Sequence, residues 1–288
     1  PSARAFASKL PFALRRVGPE VIHATNSPPS QVAAARTAAR VLRVPVVVDW
    51  WRVREGDSDR MIRRAARTAD RVLAPSQLVR TAVRERGASA ADVTVVPDSI
   101  DLELVRSAAV DNRADLVYAR RLDEHANVET FLLALAELRD RDWRAAVVGD
   151  GPDRDAAVET AAELRIDDRV SFLGSLPPAE FVPILRGAHV FAQTATVEPF
   201  ARELLWALAC GCVGIVEYQA ASSAHELVEN CERGARVTNP QELADEVVAA
   251  AGHDRASFNG AFAGYDHGHV IDTYERVYGD ERDAYGFF

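Results

Sequence analysis

The stretch Val197–Cys212, VEPFARELLWALACGC, sets a carboxylate, a proline and a phenylalanine directly ahead of an amphipathic run. Proline is favoured at the first helical position, where its missing N–H costs nothing. The spacing therefore predicts Glu198 as the N-cap and Pro199 as the first helical residue. Leu204, Leu205, Leu208 and Cys212 recur at helical spacing and face a core. The N–H groups of Phe200, Ala201 and Arg202 then have no partner inside the helix, and such a helix start receives anions. Two readings of Glu198 stay open here. It caps the helix and meets the positive end of its dipole, or it grips hydroxyls of a ligand whose anionic part rests on those N–H groups.

Outward from this stretch, β-branched runs alternate with helical patterns. Strands are expected at EVIHA (20–24), VPVVVDW (44–50), RVLAP (71–75), VTVVP (93–97) and DLVYAR (115–120). Five more follow at RAAVVGD (144–150), RVSFLG (169–174), HVFAQ (189–193), CVGIVE (212–217) and ARVTN (235–239). Helices fill the gaps at Gln31–Leu42, Arg60–Ala69, Leu78–Arg86, Val128–Arg139, Asp153–Leu164, Ala179–Arg186 and Gln241–Ala251. This alternation predicts an α/β fold of parallel sheets covered by helices. The polar stretch 98–116 is strand-poor and places a domain boundary near Ser107–Arg113. The expected organisation is a domain at 1–109, a second at 110–264, and a C-terminal helix at 265–288 that returns to the first. Four strands are few for a complete doubly wound domain, so the first is expected to be partial. Ligands of open α/β sheets bind at the carboxyl ends of the strands. Those ends carry His23 and Asn26, Asp49 and Trp50, Arg120 and Arg121, Gly149 and Gly151, and the loop Leu173, Gly174, Ser175, Leu176.

The 288 residues are 48% hydrophobic, enough for two cores, and the net charge is −9. Residues 1–110 hold 18 lysines and arginines against 11 carboxylates, so the first part is basic although the whole is acidic. A basic part suggests an anionic partner. Arg60, Arg63, Arg64, Arg67 and Arg71 fall on one helical face, read either as a solvated face or as a contact with anionic lipid. No nucleic-acid fold signature accompanies the charge. Cys210, Cys212 and Cys231 fit no zinc or disulfide spacing, which points to a reducing compartment. The charged opening residues lack the pattern of a secretory signal, and no segment has the apolar length of a membrane span. The expected location is cytoplasmic, peripheral on the inner face of the membrane. VVGDGPDRDA (147–156) half-matches a dinucleotide fingerprint, but Arg154 stands where the third glycine belongs. Gly149 and Gly151 read instead as a tight strand-to-helix turn that admits a ligand, and neither NAD nor a metal is expected.

Taken together, these motifs resemble the retaining GT-B glycosyltransferases of family 4, the glycosyl transferases group 1. The residues that carry the resemblance are VYARRLDEHANVETFLLALAELRDRDW (117–143), AAVVGDGPDRD (145–155), RVSFLGSLPPAEF onward through CVGIVE (169–217), HELVE (225–229) and VIDTYERVY (270–278). PEVIHATNSPP (19–29), ADRVLAPSQLVRTAVRERG (69–87) and VTVVPDSID (93–101) add strand ends of the first domain. The resemblance implies two Rossmann-like domains facing a cleft, with hexosyl transfer from a nucleotide-diphosphate sugar to a glycan or lipid-linked acceptor, without a cofactor. It assigns Arg121 to the donor diphosphate and Glu198 to donor-sugar hydroxyls. Backbone donors would come from Phe200, Ala201 and Arg202, and the Leu173–Leu176 loop would hold the base. Glu226 would contact ribose or cap its helix. His23, Asn26, Asp49 and Trp50 would lie on the acceptor side, although His23 reads equally as a satisfied strand-end histidine and Trp50 as a wall of the cleft.

Two positions depart from the family pattern. The lysine five residues beyond the arginine is Ala126, and the second glutamate eight residues after the first is Trp206. Glu203 does not replace it on one continuous helix, because five residues turn the helix by about 500°. Arg120 stands where the family carries glycine, and either it or Arg202 would supply the lost charge. The alternative from a different class is a degenerate GT-B protein that binds a nucleotide sugar or a partner without turnover. A GT-B epimerase would want more acids and histidines at these strand ends.

Overall fold

The computed structural model describes residues 3–51 and 58–285, with side chains from residue 9 onward. It divides into two compact units, residues 1–98 with 268–288 and residues 99–267.

The first unit runs α1 (Ala3–Val17), β1 (Ile22–Thr25), α2 (Ser30–Leu42), β2 (Val46–Asp49), α3 (Asp59–Thr68), β3 (Arg71–Ala74), α4 (Gln77–Glu85) and β4 (Val93–Val95). Its parallel sheet has the order β1-β2-β3-β4. Both faces of β2 are buried, so its side chains sort by period two. Val46 and Val48 pack with Val32, Ala35 and Ala39 of α2 and with Ile62 and Ala66 of α3. Val47 points the other way and packs with Leu73, Val96, Val270 and Val277. α1 has no counterpart among the expected helices. Pro11 lies inside it, a residue that reads as a helix breaker.

The second unit begins with α5 (Leu102–Ser107), followed by β5 (Leu116–Ala119), α6 (Val128–Glu137), β6 (Ala145–Val148), α7 (Arg154–Glu163), β7 (Val170–Gly174), α8 (Pro178–Gly187) and β8 (Val190–Gln193). After these come β9 (Val197–Glu198), α9 (Arg202–Ala209), β10 (Val213–Glu217), β11 (Ala221–Ser222), α10 (Ala224–Val228), β12 (Gly234–Val237) and α11 (Pro240–Ala249). The chain then enters α12 (His267–Ala284), whose Val270 and Val277 pack on the first unit's sheet. All ten expected strands form. The second sheet is parallel with the order β12-β10-β8-β5-β6-β7. Winding proceeds from β5 through β6 to β7, then restarts at β8 and runs to β12. The direction therefore reverses between β5 and β8, where a ligand crevice opens in folds of this kind.

The division falls earlier than the sequence suggests. Leu102 and Val105 of α5 are buried in the second unit's core, and Asp101 caps α5 by accepting the Leu104 N–H at 2.9 Å. A short amphipathic helix thus claims the stretch that polarity marks as a linker. No helix among the described residues is long and apolar enough to cross a membrane.

Candidate functional site

The reversal point of the second sheet gathers the charged strand ends. Arg120 follows β5, and its N–H donates to the Val148 carbonyl at 2.9 Å. Gly149 has φ of 138°, and a Cβ there would stand 1.8 Å from the Arg120 carbonyl oxygen. A Cβ at Gly151 would stand 2.0 Å from the Leu122 carbonyl oxygen. These close approaches give both glycines a structural reason within the chain itself. Both are required because the loop after β6 lies against the chain's own backbone after β5.

Glu198 does not cap α9. It ends β9, which pairs in parallel with β11, and its carbonyl accepts the Ser223 N–H at 2.8 Å. The Ser223 hydroxyl donates to the Pro199 carbonyl at 2.8 Å. These bonds hold Glu198 and Pro199 in an extended segment, so α9 starts only at Arg202, with Ala201 flanking it and no side-chain cap. Pro199 is therefore not the first helical residue. Phe200 and Ala201 bury their side chains in the core. Within this short break the Arg202 N–H donates to the Phe200 carbonyl at 3.1 Å.

The two adjacent arginines diverge. The Arg121 side chain is 70% exposed, with Nε 3.8 Å from Asp123 Oδ2. The Arg120 side chain is 11% exposed and turns inward, with Nη1 3.6 Å from Glu198 Oε2. A recess of about 150 Å³ joins Arg120, Arg121, Gly149, Ser175, Leu176 and Glu203. A second, of about 430 Å³, joins Gly151 and Arg154 to Leu173 and Gly174. The structure thus brings together Arg120, Arg121, Glu198, Gly149 and the Leu173–Leu176 loop. Glu203 joins them against the helical-phase argument, which counted Glu198 as part of α9 when it is not. Trp206 is buried in the core, and Ala126 is buried with its carbonyl accepting the Tyr118 hydroxyl at 2.7 Å.

Glu226 lines a cavity of about 600 Å³ with Cys231, Arg233, Phe258 and Tyr265. Burial, and then the Glu226 charge, push the Tyr265 phenol up. Sequence reasoning missed Asn127 and Glu217. Asn127 takes the left-handed conformation (φ 52°), and its Nδ2 donates to Glu217 Oε2 at 2.8 Å and to the Thr194 carbonyl at 3.0 Å. Burial pushes the Glu217 carboxyl up. The signal was an asparagine directly after the departing Ala126, since asparagine tolerates positive φ.

In the first unit, His23 Nε2 lies 3.2 Å from Asp49 Oδ2, and His23 Nδ1 lies 2.6 Å from the Tyr278 hydroxyl. The Tyr274 hydroxyl donates to Asp49 Oδ1 at 3.3 Å. Burial, then the Asp49 charge, push both phenols above their usual range. With the phenols protonated, each ring nitrogen of His23 has a partner within this chain. Asn26 is buried, and its Oδ1 accepts the Trp51 N–H at 3.2 Å. Trp50 is a core residue, 2% exposed, and not a cleft wall. The tyrosine pair was legible as an i, i+4 repeat in VIDTYERVY.

On α3, Arg60, Arg63, Arg64 and Arg67 are exposed opposite buried Ile62, Ala65 and Ala66. Arg71 leaves the stripe. It sits on β3 and pairs with Glu281 of α12 at 2.6 Å. Among the described residues, no group of three or more His, Cys, Asp or Glu is placed to hold a metal ion.

The model of the family described as Glycosyl transferases group 1 matches residues 100–254, and that of Glycosyltransferase Family 4 matches residues 1–104. The D-inositol 3-phosphate glycosyltransferase of Nocardia farcinica is 32% identical over 164 residues, 50% of this chain and 36% of its own. The lipopolysaccharide 1,6-galactosyltransferase of Salmonella typhimurium is 27% identical over 216 residues, 73% of this chain and 58% of its own. The chain spans between 31% and 58% of the curated relatives it matches. Among solved structures, Anabaena HepE in complex with UDP superposes with a TM-score of 0.80 at 20% identity, over 96% of this chain and 82% of that one.

Proposed function

Since the chain belongs to the glycosyl transferases group 1 family and has the GT-B fold, we propose that it transfers a hexosyl group from a nucleotide-diphosphate sugar to an acceptor. The observation that carries this reading is the meeting of Glu198, Arg120, Arg121 and the Leu173–Leu176 loop where the second sheet reverses direction. An exposed guanidinium at Arg121 suits a diphosphate, which accepts paired charge-assisted bonds. The Glu198 carboxylate suits sugar hydroxyls, which donate. Glu203 adds a second carboxylate at the start of α9, in place of the one the family carries at position 206. Chemistry in such a site comes from positioning the acceptor and stabilising the departing diphosphate. Retention of configuration is the outcome the family pattern carries.

The test is thermal-shift and calorimetric titration against UDP, GDP and ADP and their glucose conjugates. A ligand at a hundredfold over its Kd stabilises the fold by about 2.7 kcal/mol. Glu198→Gln is expected to reduce transfer about tenfold or more, the scale of a lost charged hydrogen bond, while the melting temperature stays close to that of the parent. Undiminished transfer in that variant would remove Glu198 from the site.

A second reading, binding without turnover, is favoured by the buried Ala126 and Trp206, which leave both family positions without a charged group. Sugar-nucleotide binding with neither transfer nor hydrolysis distinguishes it.

For the acceptor, a lipid-linked or cell-surface glycan is supported by the relative named for lipopolysaccharide and by the exposed arginine face of α3. Attraction to an anionic surface is worth about 1 kcal/mol per cation. This reading carries a cytoplasmic location, peripheral on the inner membrane face. Sedimentation with anionic vesicles that weakens as salt rises supports it, and equal binding to neutral vesicles sinks it.

A further inference from the structure

Arg120 is the inward-turned member of the arginine pair, with its side chain 11% exposed. Four oxygens of this chain converge on its guanidinium. Nη1 donates to the His125 carbonyl at 2.9 Å and to the Val197 carbonyl at 3.2 Å. Nη1 also lies 3.6 Å from Glu198 Oε2, and Nη2 lies 3.6 Å from Asp123 Oδ1. A primary guanidinium nitrogen carries two hydrogens, and both of those on Nη1 are committed to carbonyls. The group therefore cannot swing to a ligand without abandoning its own backbone partners. One of those partners belongs to Val197, the residue immediately before Glu198.

The platform beneath is also fixed. The Arg120 N–H is bonded to the Val148 carbonyl, and its own carbonyl leaves room for nothing larger than glycine at position 149. Arg120 thus ties the loop after β5 to the segment after β8, across the point where the sheet reverses. Two carboxylates and two carbonyls aimed at one little-exposed point are tolerated only around a cation.

We infer that Arg120 is a positioning residue for Glu198: it holds the β9 segment and its carboxylate in place to receive donor-sugar hydroxyls, while Arg121, the exposed neighbour, takes the diphosphate. This rests on the donor-site reading above. It separates two roles that composition alone would assign to any pair of adjacent arginines.

The experiment measures calorimetric affinities for UDP, GDP and ADP and for their glucose conjugates. The proteins are the parent chain, Arg120→Met, Arg120→Lys, Glu198→Gln and the double variant Arg120→Met/Glu198→Gln. The readout is the sugar increment, the ratio of affinity for the sugar nucleotide to that for its nucleoside diphosphate. Arg120→Met is expected to reduce this ratio about tenfold, the scale of one charge-assisted bond, and to leave diphosphate affinity within about twofold. Arg120→Lys keeps the charge but not the fork, so it should fall between parent and Met. The double variant should lose no more than Glu198→Gln alone, because the two act as one unit. Should Arg120→Met fail to fold, an intermediate ratio in Arg120→Lys with unchanged diphosphate affinity supports the same role. A parallel loss of diphosphate and sugar nucleotide makes Arg120 a direct phosphate ligand and overturns the proposal. An unchanged ratio, or additive losses in the double variant, overturns it too. If the parent binds none of the six ligands, the donor-site reading itself falls and takes this role with it.

Discussion

The Tyr278 hydroxyl lies 2.6 Å from Nδ1 of His23, across 255 positions of sequence. Because Nε2 of the same ring faces Asp49, the C-terminal helix is fastened to β1 and β2 through a single imidazole. Tyr274, one helical turn earlier on α12, closes the set from the other oxygen of Asp49.

Tyr278→Phe removes one hydroxyl and leaves the ring. The expected loss is about 0.5–1.5 kcal/mol of unfolding free energy, the usual net worth of one hydrogen bond. Urea titration of the two proteins measures it. A loss near zero would mean that the imidazole finds water as readily as the phenol.

The phenols also predict a pH dependence. Tyr118 and Tyr274 both have their pKa raised, chiefly by burial. For an acid whose folded pKa is raised, the folded state holds the proton more tightly than the unfolded one. That contribution is fully present below the ordinary phenol pKa of about 10 and is lost as pH climbs beyond it. Stability should therefore decline from about pH 10 upward. Tyr274→Phe should flatten the decline, and an identical slope in that variant would remove Tyr274 as a cause.

Gly149→Ala places a methyl 1.8 Å from a backbone oxygen at a φ of 138°. Neither a rotamer change nor a side-chain shift relieves a backbone clash. We expect a loss of at least about 1–3 kcal/mol, the scale of overpacking. Gly264→Ala meets nothing within 4 Å, so it should stay within about 0.5 kcal/mol. Equal melting temperatures for the two variants would contradict the close approach.

Trp50 and Trp51 are adjacent and should behave oppositely. Trp50 is 2% exposed and Trp51 38%. Trp50→Ala should cost about 3–5 kcal/mol, as large core truncations do. Trp51→Ala should cost far less, which thermal unfolding of both variants will show.

Thiol titration checks the second core. Cys210 and Cys212 are buried, and burial pushes the Cys212 thiol up to about 12. The thiolate is the reactive form, so both should resist an aromatic disulfide reagent in the folded protein. Half-buried Cys231 alone should react, with all three reacting in denaturant.

What the sequence determined by itself was most of the elements, though not α1, α5, α10 or the short β9–β11 pair. Hydrophobic period is a local property, so every expected strand and the seven expected helices were legible, down to the buried alternation of Val46, Val47 and Val48. The family pattern was legible too, because it is an ordered series of strand ends. Tertiary structure decided which groups at those ends meet. Glu198 looks like a helix cap until β11 pulls its segment into an extended pairing, and nothing between residues 197 and 212 announces that partner. Arg120 and Arg121 are the same residue type in adjacent positions. One is turned inward and the other outward by contacts with residues 125 and 197. Trp50 reads as a cleft aromatic and is core. Arg71 reads as part of a stripe and is held by Glu281, 210 positions away. In each case the deciding partner is distant in sequence. Local propensity weighs only neighbours, whereas burial and charge pairing are set by whatever the folded chain brings within a few ångströms.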